Sequence, residues 1–160
     1  MPSAALVLLL ALAPNAPDRS VSPADTVHCV AAARFLREQQ HMVAAIDRDT
    51  IDDWRTGRRL SGCRVTAAGT TTSGIANEAV RFYERLRTAG WTRTPEPRDA
   101  PNEASLRFRW QRSDCVFNIN DEARLGTDAE LRVNEALQHV PGTTRYHVLA
   151  LCMPALPASP

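Results

Sequence analysis

The chain has 160 residues, 44% hydrophobic and 23% charged, and nineteen basic against eighteen acidic side chains leave a net charge of +1. That length suits one core with a short appendage. The near balance of charge excludes a nucleic-acid binder held by phosphate neutralisation and a basic helix lying on a membrane, and no collagen-like, coiled-coil or low-complexity bias is present. All nineteen basic residues are arginine and they are scattered along the chain, which fits an Arg-rich coding bias better than a guanidinium-lined site.

Ala4 to Ala13 is a run of ten apolar residues without a charge, broken by Pro14, Asn15, Ala16, Pro17 and Asp18. A membrane-spanning helix needs about 20 such residues, whereas a run of this length followed by small residues matches the apolar region of a secretory signal. No Cys follows closely enough for a lipid anchor. The expected organisation is a signal peptide over 1–16, a polar lead-in over 17–25, a single α+β domain over 26–153 and a frayed tail over 154–160. The mature chain then has no membrane span and resides in the periplasm or outside the cell.

Four cysteines, Cys29, Cys63, Cys115 and Cys152, all follow the leader. An even number in an exported chain points to two disulfides, and the long spacings exclude zinc-ribbon and thioredoxin patterns. Four cysteines allow three pairings.

No proline interrupts residues 25–94. From about Thr26 to Ile46, the residues Cys29, Ala32, Ala33, Phe35, Leu36, Met42, Val43 and Ile46 fall on one side of a 3.6-residue helix, with Arg34, Arg37, Glu38 and His41 opposite. The acidic stretch Asp47 to Asp53 reads as its solvated end. It fits a calcium loop less well, because Ile51 occupies a ligand position and no Gly makes the turn. Leu60 to Thr70 alternates Cys63, Val65 and Ala67 against Arg64, Thr66 and Ala68, which predicts a half-buried strand. Thr71, Thr72 and Ser73 offer N-caps for a helix carrying Ile75, Ala79, Phe82 and Leu86, and Gly90-Trp91 suits its C-cap. Pro95, Pro97 and Pro101 mark a loop. Leu106, Phe108 and Trp110, then Cys115, Phe117 and Ile119, alternate as two strands of a hairpin about Arg112-Ser113-Asp114. Thr127-Asp128-Ala129-Glu130 is a capping box opening a helix through Val133, Ala136, Leu137 and Val140. Thr144 to Met153 reads as a buried final strand.

These elements predict an α+β fold in which an antiparallel sheet of about four strands packs against two or three helices. A meander is favoured, and a ferredoxin-like arrangement is the alternative. The meander sets Cys115 opposite Cys152 and leaves Cys29, on the core side of the first helix, to reach Cys63. The ferredoxin-like layout brings Cys152 to Cys63 instead.

The segment Ala79 to Trp91, with Phe82-Tyr83, Leu86 and Gly90-Trp91, followed by a hairpin, resembles a pattern in uncharacterised bacterial exported small α+β domains. In those a helix of this type packs on a small antiparallel sheet. The likeness spans about residues 73–120. It implies a fold and an envelope location, and it carries no catalytic residues.

Little else in the sequence points to chemistry. His28, His41, His139 and His147 have no metal-ligand spacing, and there is no nucleophile elbow, phosphate loop or dinucleotide fingerprint, so no cofactor is expected. Asp52 and Asp53 adjoin Trp54, but adjacent carboxylates rarely converge on one substrate; Trp54 is a possible contact residue. The function expected is a small exported, disulfide-stabilised, non-enzymatic domain binding an envelope protein or a small ligand. The alternatives are a small hydrolase assembled from distant residues, for example His147 with Asp or Glu, and a purely structural envelope protein.

Overall fold

The computed structural model describes residues 26–94 and 105–157; the expected signal peptide, lead-in and proline-rich loop lie outside these residues. The described chain opens with α1, three successive turns of different pitch: a 3₁₀ turn over Val27–Cys29, an α-turn over Val30–Arg34 and a π-turn over Phe35–Gln39. Its stripe of Cys29, Ala32, Ala33, Phe35 and Leu36 is buried. His41, with a positive φ of 53°, then turns the chain into a strand.

That strand is β1, Val43–Asp53, hairpin-paired with β2, Arg58–Thr71. Next come α2 (Ile75–Thr88), β3 (Thr92–Arg93), β4 (Ser105–Trp110), β5 (Ser113–Asn120), α3 (Asp128–Ala136) and β6 (Thr144–Pro154). All strands join one six-stranded antiparallel sheet in the order β1-β2-β6-β5-β4-β3. The expectation of about four strands is therefore corrected to six, and neither a simple meander nor a ferredoxin-like order describes the sheet. The last strand is inserted between β2 and β5 and pairs with both.

The first helix ends at Gln39 and not at Ile46, which belongs to β1. Met42, Val43 and Ile46 continue the helical spacing of Leu36, so periodicity alone could not end the helix at Gln39. The acids taken for a solvated helix end are strand residues facing arginines of β2, with Asp52–Arg59 at 3.1 Å and Asp49–Arg64 at 3.0 Å. The β4–β5 turn is also shorter than expected: its two residues are Gln111 and Arg112, with Gln111 at φ 53°.

Local signals at the other helices act as their chemistry requires. Gly90, at φ 95°, donates its N–H to the Arg87 carbonyl and Trp91 donates to Leu86, which is a Schellman closure of α2. At the other end the N-cap is Gly74 and not Thr71, Thr72 or Ser73 as expected, and no side chain caps the helix; Thr71 instead donates its hydroxyl to Glu78 at 2.9 Å. Thr127 and Glu130 form the reciprocal capping box of α3, which stops at Ala136, short of Val140.

Helices α1 and α2 cover one sheet face. There Phe82 meets Phe35 and Phe117 edge-on, and Tyr83 stacks on Phe108 at 5.7 Å while donating its hydroxyl to the Phe117 carbonyl. On the opposite face Ile51 joins Val116 and Met153 in a smaller cluster. Asp53 at the tip of the β1–β2 hairpin reaches Arg107 of β4, so the hairpin arches over that face. This side of β4 is thus covered, and Arg107 is wholly buried.

Gly62 marks the point where the hairpin departs from β6. A Cβ there would lie 2.3 Å from the Cys152 carbonyl oxygen and 3.0 Å from an Ile51 side-chain carbon. Because the obstruction is backbone, Gly62→Ala is expected to lower unfolding free energy by about 1–3 kcal/mol, measured by urea denaturation. A loss within experimental error would show that the arch can move aside.

Candidate functional site: an arginine-rimmed groove beside the cysteines

At one end of the sheet the start of α1, the β4–β5 turn and the end of β6 enclose an open groove of about 960 Å³. Its lining includes Val27, Val30 and Ala31 of α1, Trp110 of β4, and Pro154 with Ala155. Val27 and Val30 are more than half exposed, at 56% and 55%. They occupy the side of α1 opposite its buried stripe, three residues apart, with Arg34 one turn further on. Arg34 and Arg112 rim the groove and are exposed. Among the described residues the lining contains no acidic side chain, so there the groove joins an apolar floor to two arginines.

His28 and Ser113 sit in the wall, with His28 Nδ1 2.7 Å from the Ser113 hydroxyl. Burial lowers the His28 pKa below its ordinary value, since desolvation disfavours the imidazolium. The neutral ring is favoured, and the groove's fixed charge comes from its arginines.

The cysteines lie directly beneath this wall. Cys29 and Cys63 form one disulfide, with Cα atoms 6.0 Å apart, and Cys115 and Cys152 form the other, at 4.1 Å. All four are fully buried. The first bond anchors α1 immediately after His28. The second clasps β5 to β6 two residues from Ser113 and two from Pro154.

Trp54 is elsewhere. It sits at the hairpin tip, 43% exposed, with the Arg107 guanidinium carbon 5.4 Å from its ring centroid. Its neighbours Asp52 and Asp53 do not converge: Asp52 pairs with Arg59 at the surface, whereas Asp53 is buried against Arg107. Of the other histidines, His41 and His139 are exposed. His147 borders a cavity of about 10 Å³, room for one water, together with Thr66 and Glu130. Burial, then the Arg145 charge, lowers its pKa. Glu130 is occupied by the Gly126 and Thr127 backbone N–H groups at 2.8 and 3.1 Å, so the structure does not set His147 and this carboxylate as a catalytic pair. Among the described residues no three His, Cys, Asp or Glu side chains are grouped to hold a metal ion.

Sequence reasoning singled out Trp54 and passed over the groove. The available signal was Val27 and Val30, two apolar residues off the core stripe, but the turn that completes the site is 80 residues away and gave no hint of meeting them.

Asp53 generates a pH prediction. Burial acts to raise its pKa, but hydrogen bonds from Thr56 and Arg107, with the Arg107 charge, outweigh it and hold the carboxyl below 3.8. A depressed carboxyl contributes stability that is complete above its unfolded pKa and lost as pH falls through the folded value. Wild type should therefore weaken below about pH 4. Asp53→Asn should lose roughly 3 kcal/mol at neutral pH by removing the carboxylate from the buried Asp53–Arg107 ion pair and show a shallower acid limb, read by urea unfolding across pH. An unchanged acid limb would assign it to other carboxylates.

No family model, no curated protein and no solved structure matches this chain.

Proposed function

We propose that this is an exported, disulfide-stabilised binding domain whose groove receives an apolar, acidic segment of an envelope protein. The observation that carries the reading is the groove's composition: exposed Val27 and Val30 and the Trp110 floor beside Arg34 and Arg112, with no acid among the described lining residues. Contiguous exposed apolar surface of this kind marks interaction sites, and the arginines select a partner carrying carboxylates. The groove's open side suits a chain segment better than an enclosed small molecule.

Export is supported by two disulfides, which persist in oxidising compartments, and by the apolar run over Ala4 to Ala13. Among the described residues no helix is long and apolar enough to cross a membrane. The likeness of Phe82-Tyr83, Leu86 and Gly90-Trp91 to exported α+β domains points the same way.

One observation favours a second reading, ester or amide hydrolysis: the His28–Ser113 contact in the groove wall, a base within hydrogen-bond reach of a hydroxyl. Turnover of short-chain aryl esters that Ser113→Ala abolishes would establish it, and undiminished turnover in that variant would remove it.

The binding reading is tested with a dye-labelled peptide of alternating leucine and glutamate, by fluorescence anisotropy. Wild type should bind it, the double variant R34E/R112E should bind at least about tenfold more weakly, a loss of about 1.4 kcal/mol, and a leucine–lysine peptide should not bind. Equal binding by the double variant would overturn the groove assignment. Uptake of the apolar anion anilinonaphthalene sulfonate without peptide binding would replace the protein partner by a small ligand.

A further inference from the structure

The two disulfides are not separate clasps. Cys63 and Cys152 are register partners on β2 and β6, and Cys152 and Cys115 are register partners on β6 and β5. Three cysteines thus stand in one row across three adjacent strands. Cys29 lies over this row: the flanking carbonyl of Thr26 is 3.6 Å from the Cys63 sulfur and that of His28 is 3.8 Å from the Cys115 sulfur. Cys152 therefore has a cysteine neighbour on each side at the same register and is bonded to only one of them.

We propose that the four cysteines form an exchange relay, in which reduction of Cys29–Cys63 by a dithiol moves the remaining disulfide from Cys115–Cys152 to Cys63–Cys152. The Cys29–Cys63 bond is the one local opening can reach. It ties a short helix at the sheet's rim to β2, whereas the other bond joins two central strands that must unpair to expose it. The dithiol gives two electrons and two protons to Cys29–Cys63, leaving two thiols and becoming a disulfide itself. Cys63 then loses its proton, and the thiolate attacks the Cys152 sulfur. As the Cys63–Cys152 bond forms, the Cys152–Cys115 bond breaks, and its electron pair leaves on Cys115, which takes up a proton. The exchange consumes no further reductant.

The relay frees Cys115 beneath the His28 carbonyl and unties Cys29, and so releases α1. The chemistry stands without the groove reading; the consequence that one groove wall is loosened rests on it.

Limiting dithiothreitol on the full chain tests the relay, with acid quenching, iodoacetamide labelling and non-reducing peptide mapping. Cys115–Cys152 is the closer register pair, at 4.1 Å, and Cys63–Cys152 the wider, so the Cys63–Cys152 peptide, with label on Cys29 and Cys115, should be the minor one-disulfide species, at about a tenth of that population or more. Label confined to Cys29 and Cys63, or loss of both disulfides with no one-disulfide species, would overturn the proposal. Cys29→Ala tests it without reductant, because Cys63 then faces an intact Cys115–Cys152 bond. Label shared between Cys63 and Cys115 supports the relay, and label on Cys63 alone counts against it. Peptide anisotropy on the relayed species reports the groove separately, so failure of binding and failure of exchange are distinguishable.

Discussion

The sheet exists as one body because β6 lies in its middle. Without that strand the chain has two separate antiparallel pieces, the β1–β2 hairpin and the β3–β4–β5 ladder, which share no strand pairing. Each piece is local in sequence and can form early. The seam is not local: β2 and β5 meet β6 at registers running from Cys63↔Cys152 to Thr71↔Thr144 and from Ser113↔Pro154 to Asn120↔His147. Pairing of such high sequence separation is entropically slow to close. The large apolar face also depends on it, since Tyr146, Val148, Ala150 and Cys152 of β6 separate the residues contributed by β2 from those of β5.

The two faces answer this constraint differently. Under α1 and α2 the core is aromatic and aliphatic, filled by edge-to-face rings. On the opposite face the small Ile51–Val116–Met153 cluster is framed by polar groups. Asp53 meets Arg107, and Asp114 receives two hydrogen bonds from Arg109 and one from the Leu156 backbone N–H. Residues 155–157, expected to fray, are fastened there as well, through Ala155 to the Arg112 carbonyl and through Arg55 to the Pro157 carbonyl. A buried ion pair is a poor source of net stability compared with apolar packing, but removing one partner leaves an uncompensated charge. Such contacts fix where the hairpin lies more than they add to stability.

How much was legible follows from the range of each signal. The strand about Val65, the Gly90-Trp91 closure and the Thr127–Glu130 box could be read because each is written within a few residues. The boundary at Gln39 could not be read: a helical and an extended reading both bury Met42, Val43 and Ile46, and the choice is made by β2, which supplies arginines opposite the acids of β1. The burial of Arg107 could not be read either, because alternation shows which residues share a face and not what later covers it. Trp54 stood out as an isolated aromatic, whereas the groove needed α1, the Gln111–Arg112 turn and Pro154 to be brought together by β6.

That convergence also explains how apolar side chains stay exposed in the groove without folding inward. Val27 and Val30 cannot turn toward the core, because Cys29 between them is bonded to β2 and the stripe of Ala32, Ala33 and Leu36 already fills the helix's inner side. The facing wall is equally fixed, since Cys115–Cys152 joins the strands that carry Ser113 and Pro154. On the proposed binding reading, a groove held open in this way spares an incoming segment the ordering of its own receptor, which is where much of the free energy of association is otherwise spent. The disulfides that stabilise the fold thus keep an apolar surface presented to solvent, and the same four sulfurs decide whether it remains so.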